Sequence, residues 1–262
     1  MHSVHFWRFA VSASLLSSLL FSGTAQAQAR VFTAVEGGPG SPPATVVTDP
    51  LLASWTADDR GSIASGYANM STGILRSYAQ SVWVDGGIPY AASASSSVGD
   101  VLYFSSGFGG TAYLDYSFEG TLLLNPYDFP HATHGQLLLD AGGSSLNIML
   151  SQNAGNCGVP GDCTVGASIT RKGSIAIPIA AGGTAIGASL GAYAQFANNA
   201  DFSNTARLYL RVPTGAAYTT GSGEPFLADA APIFSSPVPE PASAGLMLAG
   251  LGLLGLRRRH AA

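Results

Sequence analysis

The stretch GTAYLDYSFEGTLLL, residues 110–124, alternates apolar and polar side chains along most of its length. Ala112, Leu114, Tyr116 and Phe118 fall on one side, and Tyr113, Asp115, Ser117 and Glu119 on the other. A period of two marks a β-strand with one face buried. The pattern recurs. TARLYLRV places Ala206, Leu208, Leu210 and Val212 inward and Arg207, Tyr209 and Arg211 outward. TAIGASLGAYAQFA sets Ile186, Ala188, Leu190, Ala192, Ala194 and Phe196 in one row. Ile74 to Val84 puts Leu75, Ser77, Ala79, Ser81 and Trp83 on one side, and VGDVLYFSS (98–106) is a further short run of β-formers. GQLLLDA and SSLNIMLSQ flank Gly142-Gly143 as the arms of a hairpin. GSIAIPIA carries Pro178, which assigns it to an edge or a bulge. Residues 30–50, with four prolines, read as an extended lead-in or an edge strand, and the first part of 51–84 has no clean period. No long segment has a 3.6-residue period with caps. Short strands between Gly, Asn, Asp and Pro clusters predict a mainly β fold, an antiparallel β-sandwich of jelly-roll type over residues 30–235.

Both ends read as handling segments. Arg8 and nearby histidines precede an apolar core, Phe9 to Phe21, and then AQAQA. Small residues stand at the −3 and −1 positions as either Ala25/Ala27 or Ala27/Ala29. This is the layout of a secretory leader, assigned here to residues 1–29 and handled by the general secretion machinery. The rival is an N-terminal membrane anchor, for which the apolar core is short.

Residues 236–262 contain VPEP (Val238, Pro239, Glu240, Pro241), then fifteen uncharged residues from Ala242 to Leu256, then Arg257, Arg258 and Arg259. The prolines fix φ and hold the residues before them extended. As a helix, the uncharged run spans about 22 Å, short of a hydrocarbon core of roughly 30 Å. Snorkelling arginines and local thinning make up the difference, and the arginines stay cytoplasmic. A stiff motif, an undersized span and a basic stop, in that order, resemble the PEP-CTERM sorting signal. Residues 200–223 also resemble a strand-turn stretch seen before that signal. The resemblance implies processing by an exosortase, a multi-pass membrane enzyme with a catalytic cysteine. It implies Val238–Pro241 as recognition motif, Ala242–Leu256 as membrane segment and Arg257–Arg259 as retention plug. It also implies export across a Gram-negative inner membrane, transient anchoring, and a final place at the cell surface or in a biofilm or exopolysaccharide matrix. The alternative is an uncut anchor whose glycines 245, 250, 252 and 255 serve helix packing.

Between the ends, seven basic residues face fourteen acidic ones, and no basic cluster exists, which argues against nucleic acid as a partner. Cys157 and Cys163 bracket a short Gly/Pro loop. In an exported chain they predict a disulfide, since a metal site lacks further ligands. His131 and His134, with Asp128 nearby, are the only histidines of the body and read as a solvated loop rather than a metal site. Asp58 and Asp59 lack calcium-loop spacing and read as a turn. Asp115 with Glu119, or Asp140 with Asp162, are carboxylate pairs to set against glycoside hydrolysis, and Asp115 and Glu119 sit on the polar face of one strand. No cofactor motif is present. The expectation is a non-enzymatic surface protein with a structural or adhesive role. A carbohydrate-binding module, with outward Tyr113 and Tyr209 as the sugar contacts, is the alternative. An envelope polysaccharide-active enzyme stands third.

Overall fold

A computed structural model describes residues 28–36, 43–84, 88–89, 91–105, 110–124, 133–153, 157, 161–179 and 182–234. The leader up to residue 27, His131, Asp128, the motif Val238–Pro241, the segment Ala242–Leu256 and Arg257–Arg259 lie outside them. Among the described residues no helix is long and apolar enough to cross a membrane.

The chain is built from strands: β1 (Gln28–Glu36), β2 (Thr45–Asp49), β3 (Leu52–Asp59), β4 (Ser62–Asn69), β5 (Ile74–Gln80), β6 (Trp83–Val84), β7 (Ile88–Pro89), β8 (Ala91–Phe104), β9 (Gly110–Leu123), β10 (His134–Ala141), β11 (Ser144–Ser151), β12 (Asp162–Val165), β13 (Ser168–Ile179), β14 (Gly183–Gln195), β15 (Asn199–Arg211) and β16 (Tyr218–Thr220). They form a large sheet in the order β12-β11-β10-β14-β8-β1-β2, with β16 also on β8, and a small sheet in the order β13-β9-β15-β5-β4-β3. A separate ribbon joins β6 to β7. Among the described residues every strand pairing is antiparallel except β11 with β12. The mainly β, two-sheet expectation therefore holds.

Local reasons for the strands are visible at several points. The β10–β11 hairpin turns at Gly142 and Gly143, with φ of 58° and 84°, the left-handed pair that a tight two-residue hairpin requires. β13, carrying Pro178, is an edge strand that pairs only with β9. β14 ends at Gln195 because Phe196 and Ala197 take φ of 60° and 59°. The buried row therefore stops at Ala194, and Phe196 does not extend it as expected. The lead-in expectation for residues 30–50 holds only for β2. β1 is interior, paired to β8 on one side and β2 on the other.

The inner faces of the two sheets share one core. At one end it is aromatic: Phe118 and Phe202, both fully buried, stack with centroids 5.3 Å apart. Phe202 lies against Gly120 of its own sheet and Gly135 of the facing one, and a Cβ at either glycine would collide with its ring. In the middle the core is small and partly polar, with Ala64, Gly66, Ser77, Ala94, Ser96 and Ala192 facing inward. Ser77 Oγ donates to the carbonyl of Leu190 across the interface at 2.8 Å. Ser96 Oγ donates to the carbonyl of Arg76 and accepts from Tyr67 N–H at 3.0 Å. Hydroxyls bonding to the opposite backbone require close sheets, and only residues of this size leave that room. A buried hydroxyl without such partners would cost about 1–3 kcal/mol.

Candidate functional site

The outward face of the small sheet carries the densest set of functional side chains. Register sets three rungs across β13, β9 and β15: Ala176–Tyr113–Arg211, Ser174–Asp115–Tyr209 and Lys172–Ser117–Arg207. Farther across, Arg76 of β5 stands opposite Tyr67 of β4. Four of the seven basic residues of the body thus share this face, interleaved with tyrosines, while Asp115 and Glu119 keep it from being purely cationic.

Asp115 organises the centre. Its side chain is almost fully buried although it points away from the core, because Arg211, Ser174 and the flanking rings cover it. Arg211 donates two hydrogen bonds to it, Nε to Oδ2 and Nη2 to Oδ1, each 3.0 Å. Ser174 Oγ donates a third to Oδ1 at 2.5 Å. The paired carboxylate holds the Arg211 guanidinium above its ordinary pKa. The same guanidinium lies over the Tyr113 ring, 4.4 Å from its centroid. Arg76 sits likewise over Tyr67 at 5.3 Å. Tyr113 and Tyr209, the tyrosines singled out from sequence, are both outward and half-buried on adjacent strands, two residues of register apart. One ring face of Tyr113 is therefore already occupied by Arg211.

The other sequence candidates separate. Cys157 and Cys163 are joined in a disulfide with Cα atoms 5.8 Å apart. His134 is not in a solvated loop, as expected, but is the first residue of β10, stacked on Tyr193 with centroids 5.4 Å apart. Its Nδ1 has no hydrogen-bond partner among the described residues, and burial pushes its pKa down to about 4. Asp58 takes the turn role, its Oδ1 accepting from Gly61 N–H at 3.3 Å. Asp115 and Glu119 lie four residues apart on one strand, roughly 13 Å at 3.3 Å per residue, beyond the roughly 5–10 Å that a glycosidase pair needs. Asp140 and Asp162 are two strands and three register steps apart, about 14 Å. Asp162 is also engaged, accepting from Arg171 Nε at 2.6 Å. Among the described residues no cluster of three or more His, Cys, Asp or Glu is placed to hold a metal ion.

Two features escape sequence reasoning. The Asp115–Arg211 pair joins residues 96 positions apart, and alternation sets each outward on its strand without pairing the strands or giving their register. Arg171 spans from β13 to β12, and so from one sheet to the other, with Nη2 donating to Thr164 Oγ1 at 2.8 Å as well. A single arginine in an edge strand carries no signal for such a clasp.

No curated protein matches this chain. The model of the PEP-CTERM protein-sorting motif matches residues 237–259, beginning just beyond Phe234, the last described residue. The chain therefore carries at its C-terminal end a PEP-CTERM sorting motif, the recognition signal for exosortase processing of exported proteins.

Proposed function

We propose that the protein is exported across a Gram-negative inner membrane, held there briefly by Ala242–Leu256, cut by an exosortase, and delivered to the cell surface or biofilm matrix. There its β-sandwich serves a non-enzymatic structural or adhesive role. The observation that carries this reading is the position of the sorting motif relative to the core. Among the described residues the last fully enclosed side chains are Phe226 and Leu227, and Phe234 is already exposed. The matched residues begin at 237, and the core formed among the described residues is built without them. A detachable address on a finished domain is what a processed substrate needs. The disulfide suits an oxidising compartment. Replacing Val238–Pro241 with alanines in the native host tests this. The expected result is an uncut chain retained in the membrane fraction; unchanged size and distribution would refute the proposal.

A second reading, recognition of polysaccharide by the outward face of the small sheet, is favoured by its interleaved tyrosines, hydroxyls and arginines. Aromatic faces cover the apolar faces of sugars, while charged and hydroxyl groups bond their rims. Retention of the mature protein on the host's own polysaccharide should fall with Tyr209→Ala and Tyr113→Ala and persist with Tyr103→Ala, an exposed tyrosine of the other sheet. Equal retention of all three variants would remove this reading.

A further inference from the structure

We propose that the leader is cut between Ala27 and Gln28, so that the mature protein begins at Gln28. The inference rests on the export reading above and decides between two bonds that the sequence leaves equivalent. Small residues satisfy the −3 and −1 positions both for Ala27–Gln28, through Ala25 and Ala27, and for Ala29–Arg30, through Ala27 and Ala29.

The fold separates them. β1 starts at Gln28, which pairs with Gly99 of β8. Ala29 pairs with Val98 on one side and Asp49 on the other. It has no exposed surface and belongs to the shared core. Ala29 is therefore a structural residue, although local sequence offers it as a discard. A cut after it would delete a buried side chain and its ladder positions in an interior strand. It would also set a new ammonium on half-buried Arg30, within the ladder between Ser97 and Thr48. A cut after Ala27 keeps every described position of the strand. Its ammonium falls on exposed Gln28, one residue before the core begins, where water solvates it.

The step is hydrolysis of one peptide bond: water adds, Ala27 leaves as the carboxyl end of the leader, and Gln28 gains the free amine. An N-terminal glutamine can then close on its own side chain, the amine attacking the δ-carbonyl and ammonia departing.

Mass spectrometry of the N-terminal peptide of the protein recovered from its native host tests the assignment. A peptide beginning at Gln28, intact or short of one ammonia, is expected. A peptide beginning at Arg30 would overturn the bond while leaving export standing; a chain retaining Met1 would overturn the leader as well. Ala25→Asp gives an independent readout, since this residue is removed with the leader and cannot disturb the fold. It occupies the −3 position of the first bond only. The variant should accumulate as uncut precursor. Undiminished mature protein beginning at Arg30 would contradict the proposal.

Discussion

Arg211 grips Asp115 with two hydrogen bonds of 3.0 Å each, one partner half in solvent and the other buried on an outward face. The asymmetry fixes what each substitution does. Removing Arg211 strands a buried carboxylate, whereas removing the charge of Asp115 leaves a guanidinium that water can reach. Arg211→Ala should cost about 1–3 kcal/mol, after discount for the arginine's exposure, and Asp115→Asn less. In the double variant the cost should be smaller than the sum of the singles. Urea midpoints of the four proteins measure this, and strict additivity would show that the pair is not coupled.

Phe202 occupies space that only glycine leaves free. Gly120 and Gly135 approach its ring from two strands of opposite sheets, and an added methyl at either site meets the ring rather than a flexible chain end. Gly135→Ala should destabilise by about 1–3 kcal/mol or more through overpacking. Gly135→Ala combined with Phe202→Leu should recover part of the loss. Thermal denaturation distinguishes this from Gly143→Ala, whose Cβ meets nothing and whose cost is confined to its turn conformation.

His134 makes stability sensitive to acid. Its folded pKa, about 4, lies below the ordinary 6.5, so the unfolded chain takes up the proton first as pH falls. The neutral-ring contribution is complete above pH 6.5. It declines between 6.5 and about 4 and is constant below, with a total change of up to about 3 kcal/mol. His134→Gln should remove this part of the pH slope. Equal slopes for both proteins between pH 6.5 and 4 would show that the ring is not shielded.

The disulfide supports an unusual connection. β11 and β12 are parallel neighbours, yet only residues 152–161 join them, fewer than a parallel crossover ordinarily takes. Cys157–Cys163 cinches that return. Cys157→Ser with Cys163→Ser should cost about 2 kcal/mol. The loss should be local: amide exchange should quicken at Thr164 and Val165, and the Arg171 clasp to Asp162 should loosen, while the β9–β15 ladder keeps its protection.

What the sequence revealed followed the size of its side chains. β9 and β15 were legible because Leu, Phe and Tyr alternate there with charged residues. The first half of β8, AASASSS, was not, because inward Ala92, Ala94 and Ser96 differ little in polarity from outward Ser93 and Ser95. β3 and β4 were obscured likewise: the inward row Ser62, Ala64, Gly66, Ala68 reflects close sheets, and close sheets erase hydrophobic contrast. β1 was read as peripheral because its prolines follow it, yet it lies inside the large sheet. At the candidate site, alternation placed Tyr113 and Tyr209 each on the outward side of its strand. The partnership of Asp115 with Arg211 depends on strand order, which no local pattern encodes. The tail was the most legible part, since its three elements act in linear order.

The most direct measurement is the mass of the C-terminal peptide of the protein recovered from its own cells. Processing at the sorting signal predicts a chain that ends upstream of Arg257, with Arg257–Arg259 and His260 gone. A recovered protein whose last peptide still contains those arginines and runs to Ala262 would contradict the account.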